Sequence, residues 1–339
     1  MAKFNISVKH ISLLKGGFSM KRIFVLGIIF LFVLSFSSTW AQKKEVRLSI
    51  ATGGTGGVYY PMGGGMANII SKYIPYIEAT AEVTSASVDN CLLVGGGKSD
   101  LALIMADVGW DAYQGKGKFK MKIPLRTVAV LYPNNMHIVT LEGTGIEKVS
   151  DLRGKRVSTG SPGSGTEVKG TRVLEAYGLD PDKDIKKERL GASESAGALK
   201  DKKIDAYFWD GGLPTASVTD LGATPGIKLK LIGHGDAIPK MREKYGPLYV
   251  KGIIPAKTYP GQDENVEIAV VWNLLVCNEK MKEDVAYDIV KTLFDRKPEL
   301  ITVHRMANFI KFESQVDGSP IPFHPGAIRY FTEKGLKIK

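Results

Sequence analysis

The sequence predicts an α/β protein with largely parallel sheets, arranged as two halves. Three observations carry this. Strand-like and helix-like segments alternate almost from end to end, the pattern of repeated βα units. Each half holds one turn rich in glycine and hydroxyls between a strand and a helix, at residues 53–57 and 160–166. The chain has 339 residues, 44% of them hydrophobic, enough to fill one large core or two ordinary ones.

The elements follow in order. Lys21 and Arg22 precede an apolar run at 23–36, and Thr39-Trp40-Ala41 makes a small-x-small cleavage site. Residues 1–41 therefore read as a secretory signal peptide, with Met20, just before the basic pair, as a candidate true start. The run is shorter than the roughly 20 residues a spanning helix needs. No cysteine follows it to carry a lipid anchor. The next segments read as strand 46–52, helix 63–74, strand 79–85, helix 88–94 and a buried strand at 100–106. Two apolar runs, 127–132 and 137–141, are interrupted by Pro133-Asn134-Asn135.

After Gly143 a second block begins, with a turn and strand at 151–159 and a helix at 167–177 ended by Gly178. Strands at 185–190, 204–209 and 227–232 alternate with helices at 193–200, 214–221 and 238–245. A long apolar strand at 266–276 reads as a return crossing, and 284–294 and 299–309 as a helical tail. Crossings near 133–142 and 258–268 divide the chain into a discontinuous first lobe, 42–137 plus 266–339, and a second lobe, 138–265.

The chain carries 46 Lys and Arg against 35 Asp and Glu. Loss of residues 1–41 removes five bases and no acid, leaving a net charge of about +6. That surplus helps attract anions or simply keeps the protein soluble. No basic helix, zinc spacing or aromatic–basic strand motif points to nucleic acid. Cys91 and Cys277 lie in apolar runs without CxxC or metal spacing and read as two buried free thiols, though export would permit a bridge.

The first turn, Gly53-Gly54-Thr55-Gly56-Gly57, is followed by Val58-Tyr59-Tyr60-Pro61. No Gly-Lys-Ser/Thr closes it as a P-loop, and Tyr59 stands where a dinucleotide motif needs its third glycine. It is a ligand loop or a structural turn. The second turn, Gly160-Ser161-Pro162-Gly163-Ser164-Gly165-Thr166, offers three hydroxyls at a helix amino end, where a carboxylate is stabilised by amides and the helix dipole. Between them, Thr84-Ser85-Ala86-Ser87-Val88-Asp89-Asn90 sits at a strand-to-helix junction. Ser87 caps that helix or, like Ser85, bonds a ligand. Asn90 faces the cleft or water. Trp209 ends a strand as a cleft wall or as core. Asp107 and Asp111, flanking Trp110, read as turn residues. Five scattered histidines form no HExxH or HxH pair, and no GxSxG elbow occurs. No catalytic residue, metal ligand or cofactor is expected.

Taken together, these residues resemble the TAXI family, the solute receptors of one branch of tripartite ATP-independent periplasmic (TRAP) transporters. The landmarks are Ala51-Thr-Gly-Gly-Thr-Gly-Gly-Val-Tyr-Tyr-Pro61, Thr84-Ser-Ala-Ser-Val-Asp-Asn90, Asp100-Leu-Ala-Leu-Ile-Met-Ala-Asp107, Asp151-Leu-Arg-Gly-Lys-Arg-Val157 and Gly160-Ser-Pro-Gly-Ser-Gly-Thr166. The resemblance implies a type II periplasmic-binding-protein fold, two α/β lobes around a ligand cleft. It implies a periplasmic, non-enzymatic receptor that captures a small carboxylate of the glutamate or 2-oxoglutarate type and delivers it to TRAP permease subunits. It places ligand contacts on Gly54, Thr55, Gly57, Tyr59 and Tyr60, on Ser85, Ser87 and Asn90, and on Ser161, Ser164, Gly165 and Thr166, with Trp209 a weaker addition. The family often has glutamine where this chain has Met105, and glycine where it has Ala86. A monomer is expected. A bilobed enzyme and a receptor for a sensor kinase stand as the alternatives.

Overall fold

Three short parallel strands lie at each end of one sheet, and two long antiparallel strands join them. The computed structural model describes residues 46–338, so the signal-peptide reading lies outside the described residues. The first block comprises β1 (Val46–Ala51), α1 (Tyr59–Tyr73), β2 (Ile77–Glu82), α2 (Ser87–Gly95), β3 (Leu101–Met105), α3 (Ala106–Gln114) and β4 (Leu125–Leu141). The second comprises β5 (Arg156–Ser158), α4 (Gly165–Ala176), β6 (Lys186–Glu188), α5 (Ala192–Lys200), β7 (Ala206–Gly211), α6 (Ala216–Gly222), β8 (Leu229–Leu231), α7 (Ile238–Tyr245) and β9 (Val250–Ile254). The chain returns through β10 (Val266–Asn278) to α8 (Glu283–Asp295), α9 (Lys297–Val303), α10 (Ser314–Asp317) and α11 (Pro325–Glu333).

The strand order is β2-β1-β3-β10-β4-β7-β5-β6, with β8 beside β4 and β9 beside β10. β1 runs parallel to β2 and β3, and β5 to β6 and β7. The expectation of largely parallel sheets fails at the centre, because β4 and β10 run antiparallel to each other and to every other neighbour. The two apolar runs expected around Pro133 are one strand of 17 residues. Proline cannot donate a ladder hydrogen bond. Opposite it, the register of β10 slips between Trp272 and Leu274, and the Asn273 side chain donates to the Tyr132 carbonyl at 3.1 Å. β10 exchanges β9 for β3 between Val270 and Asn273, inside the strand rather than in the segment before it.

Asp107 and Asp111 belong to a helix that starts directly after β3 without a loop and ends at Gly115 in the left-handed conformation (φ 68°). Strand β9 and helices α10 and α11 also lacked a sequence signal strong enough to read.

The core divides as the sheet does. One apolar cluster joins β1 to β3, the start of β4, the end of β10 and the C-terminal helices. Two more lie on opposite faces of the other end: Ala206 and Phe208 of β7 enter one, and Tyr207 enters the second, as a two-residue repeat dictates. The mixed α/β fold is thus a two-lobe one. Cys91 and Cys277 are free and buried. Among the described residues, no helix is long and apolar enough to cross a membrane.

Two histidines, His137 on β4 and His234, are sealed in the interior. His137 Nδ1 lies 2.8 Å from the Asn135 carbonyl, to which it must donate, so Nε2 accepts from the Tyr259 hydroxyl at 2.8 Å. Burial lowers both His137 and His234 to about 4. An unfolded histidine titrates near 6.5, so between these values the unfolded chain binds more protons. The stability from burying neutral imidazoles is therefore complete above about pH 6.5 and lost as pH falls toward 4, by roughly 3 kcal/mol per histidine. Thermal unfolding scans from pH 7 to pH 4 are expected to show a falling midpoint, with the two imidazoles still neutral by NMR at pH 5.5.

Candidate functional site

The glycine turn after β1 and the glycine–hydroxyl turn after β5 face one another across a cavity that opens to solvent. Its volume is about 250 Å³, room for a small organic molecule. Helices open onto it from several sides. Val58 and Tyr59 begin α1, Ala86 and Ser87 begin α2, residues 164–166 begin α4, and Gly191 to Glu194 begin α5. Met105, the residue capping α3, adds an apolar surface. Each helix amino end carries a partial positive charge of about half a unit, although at α2 the Val88 and Asp89 amides are taken by the Gly163 carbonyl. No side chain caps α1 or α5, and Ser164 caps α4 by accepting from the Glu167 amide at 3.0 Å.

Of the residues singled out from sequence, Gly54, Thr55, Gly57, Tyr59, Ser85, Ser87, Ser161, Ser164, Gly165, Thr166 and Trp209 line this one cavity. Tyr60 does not: one residue further round α1, it is exposed to solvent. Asn90 faces neither cleft nor water. It is fully buried, where its amide donates to the carbonyls of Thr52 and Leu103, each at 2.8 Å, and of Ala51 at 3.3 Å, while its oxygen accepts from Thr84 at 2.6 Å. It ties β1 to β3 from the first turn of α2. Ser87 does not cap α2 either; its hydroxyl accepts from the Met105 amide at 3.1 Å.

Close approach explains two glycines. A Cβ on Gly57 would lie 2.7 Å from the Trp209 ring, and one on Gly165 would lie 2.3 Å from Met105 Sδ. The indole is held by a 2.9 Å bond from Nε1 to Thr215, so Trp209 is a fixed wall. Tyr59 lines the cavity with its ring, and its hydroxyl donates to Asn273.

Sequence reading missed a second set of lining residues. Leu190 and the turn into α5 repeat the glycine–hydroxyl signature of the other two turns, in Gly191-Ala192-Ser193-Glu194. Asn134 and Asp210 also reach the cavity. Behind them Lys169 is wholly buried, 3.0 Å from Asp210 Oδ2. Burial pushes the Asp210 carboxyl up to about 6, against the opposing pull of Lys169. The lining holds two carboxyl groups, Asp210 and Glu194, and no lysine, arginine or histidine. Among the groups that line the cavity, the partial positive charge is that of the helix amino ends. Among the described residues no three His, Cys, Asp or Glu side chains converge as a metal site.

Comparison with known proteins follows this geometry. The sequence matches the NMT1-like family over residues 50–335. Among solved structures, the periplasmic binding protein BugD superposes with a TM-score of 0.52 at 14% identity, covering 78% of this chain and 87% of that one. A protein from Bordetella bronchiseptica RB50 superposes with a TM-score of 0.50 at 16% identity, covering 85% and 80%. At these identities the likeness concerns the fold.

Two substitutions test the loop that carries Ser85 and Ser87. Ala86 sits at φ 80°, ψ −146°, a conformation that suits glycine and strains an L-residue. Ala86→Gly is expected to stabilise the protein by about 1 kcal/mol in urea unfolding. Asn90→Leu leaves buried carbonyls without a donor and is expected to cost about 3 kcal/mol in the same measurement.

Proposed function

The chain belongs to the NMT1-like family, and from that premise we propose that it is a periplasmic solute-binding receptor that closes on a small carboxylate and leaves it chemically unchanged. The observation that carries this reading is the convergence of several helix amino ends and their hydroxyls on one cavity. Amides and hydroxyls there suit a carboxylate without any basic side chain. The two-lobe fold shared with BugD, itself a periplasmic binding protein, supports the same reading. In this reading residues 42–137 with 266–339 form one lobe and 138–265 the other, residues 1–41 direct export, and closure creates the surface that a permease recognises. The resemblance to the TAXI family makes TRAP permease subunits the proposed partner.

The lining also bears on the choice between glutamate and 2-oxoglutarate. Two lining carboxyls and no basic side chain favour a ligand that brings an ammonium, which glutamate has and 2-oxoglutarate lacks. We therefore place an amino acid such as glutamate ahead of the oxo acid. Calorimetric titration of ligand-stripped protein with L-glutamate, L-glutamine, 2-oxoglutarate and succinate tests both points. The amino acids are expected to bind at least about tenfold more tightly, the worth of one charged hydrogen bond. Silence from all four acids overturns the carboxylate reading, and tighter binding of 2-oxoglutarate overturns the ammonium.

A further inference from the structure

One buried ion cluster outside the cavity joins helices from the two blocks. On α4, two turns past the residues that line the cavity, Arg172 is 7% exposed. Its Nη1 lies 3.3 Å from Asp107 Oδ2 and donates to the Tyr249 hydroxyl at 2.6 Å, and its Nη2 pairs with Asp111. The Tyr249 hydroxyl in turn donates to Asp107 at 2.7 Å. The guanidinium stacks on Tyr245, 4.5 Å from the ring centre. Asp107 and Asp111 lie on α3, directly after Met105 of the cavity wall, whereas Arg172, Tyr245 and Tyr249 come from the second block.

A buried cluster of this kind adds little net stability, because stripping water from each charge offsets the attraction; its best-attested value is to fix one arrangement of packed surfaces. Here the arrangement is that of α4 against α3. The same face is joined at the other end of the contact by the Gly163 carbonyl, which accepts from the amides of Val88 at 3.0 Å and Asp89 at 3.2 Å. Gly165 then sits against Met105 and Ser87.

We propose that Arg172 is a positioning residue for ligand capture: by bridging to Asp107 and Asp111 it latches the two blocks together and sets the population of the closed, binding-competent form. The inference rests on the receptor reading only for its effect on affinity, which falls with the fraction of competent protein. The latch itself acts without ligand.

The test separates the two. Arg172→Met alone strands one buried and one half-buried acid and threatens folding, so the informative protein is the triple variant Arg172→Met, Asp107→Asn, Asp111→Asn, which removes the charges together. In ligand-free protein, hydrogen exchange at the Val88 and Asp89 amides is expected to speed up about tenfold relative to the parent, while amides within β1 and β3 exchange as before. In stopped-flow displacement, L-glutamate is expected to leave the variant about tenfold faster. Equal protection of Val88 and Asp89 in the two proteins overturns the latch. If L-glutamate binds neither protein, the choice of glutamate fails while the exchange comparison still decides the latch.

Discussion

The hydrogen-bonded pair of β4 and β10 is the constraint on which the rest of this structure depends. Each strand contributes one end to each block, so the sheet is continuous although its ends have separate cores. The pair fixes where β1 and β3 end relative to β5 and β7. Ligand sites in open α/β sheets form beyond the carboxyl ends of parallel strands. Here two sets of such ends are aimed at one space, and the helices that follow them supply its amides. The slip at Asn273 lets the pair pass Pro133, and the same asparagine receives the Tyr59 hydroxyl. The junction of the blocks is thereby tied to the wall of the cavity.

Charge is distributed in two layers. The inner layer, which meets the cavity, has acids and helix ends. The outer layer has the buried bases, Lys169 against Asp210 and Arg172 against Asp107 and Asp111. Both bases lie on α4, three residues apart, so one helix presents amides at its start and cations further along. A base held behind an acid offsets part of its charge without offering its own hydrogen bonds to a guest.

Much of the fold was legible because period and punctuation agreed. The βα units before Gly143 and after Asp151 carry apolar strands, glycine turns and helices, and their order is as read except for α3 and β9. Pro133 misled because a proline argues against a central strand, and the compensating slip lies about 140 residues away in β10. Helix α3 was hidden because β3 passes into it with no turn residue to mark the change. For the cavity, glycine–hydroxyl turns were the readable signal, and the one at Gly191 was present but unused. Asn90 was misplaced because nothing local distinguishes an asparagine that faces a ligand from one that satisfies three distant carbonyls. Lys169 and Arg172 were unreadable for a similar reason: their partners come from other strands and helices.

The glycines of the first turn are unequal in what they would tolerate. Gly56 faces Ser193 so closely that a methyl would fall 2.1 Å from its hydroxyl, and Gly57 faces the Trp209 ring, yet nothing lies within 4 Å of a Cβ on Gly54. Evolutionary drift that reshapes the mouth of the pocket therefore has its most open door in this loop at Gly54. A methyl acquired there would meet open space at the edge of the cavity and leave its neighbours in place.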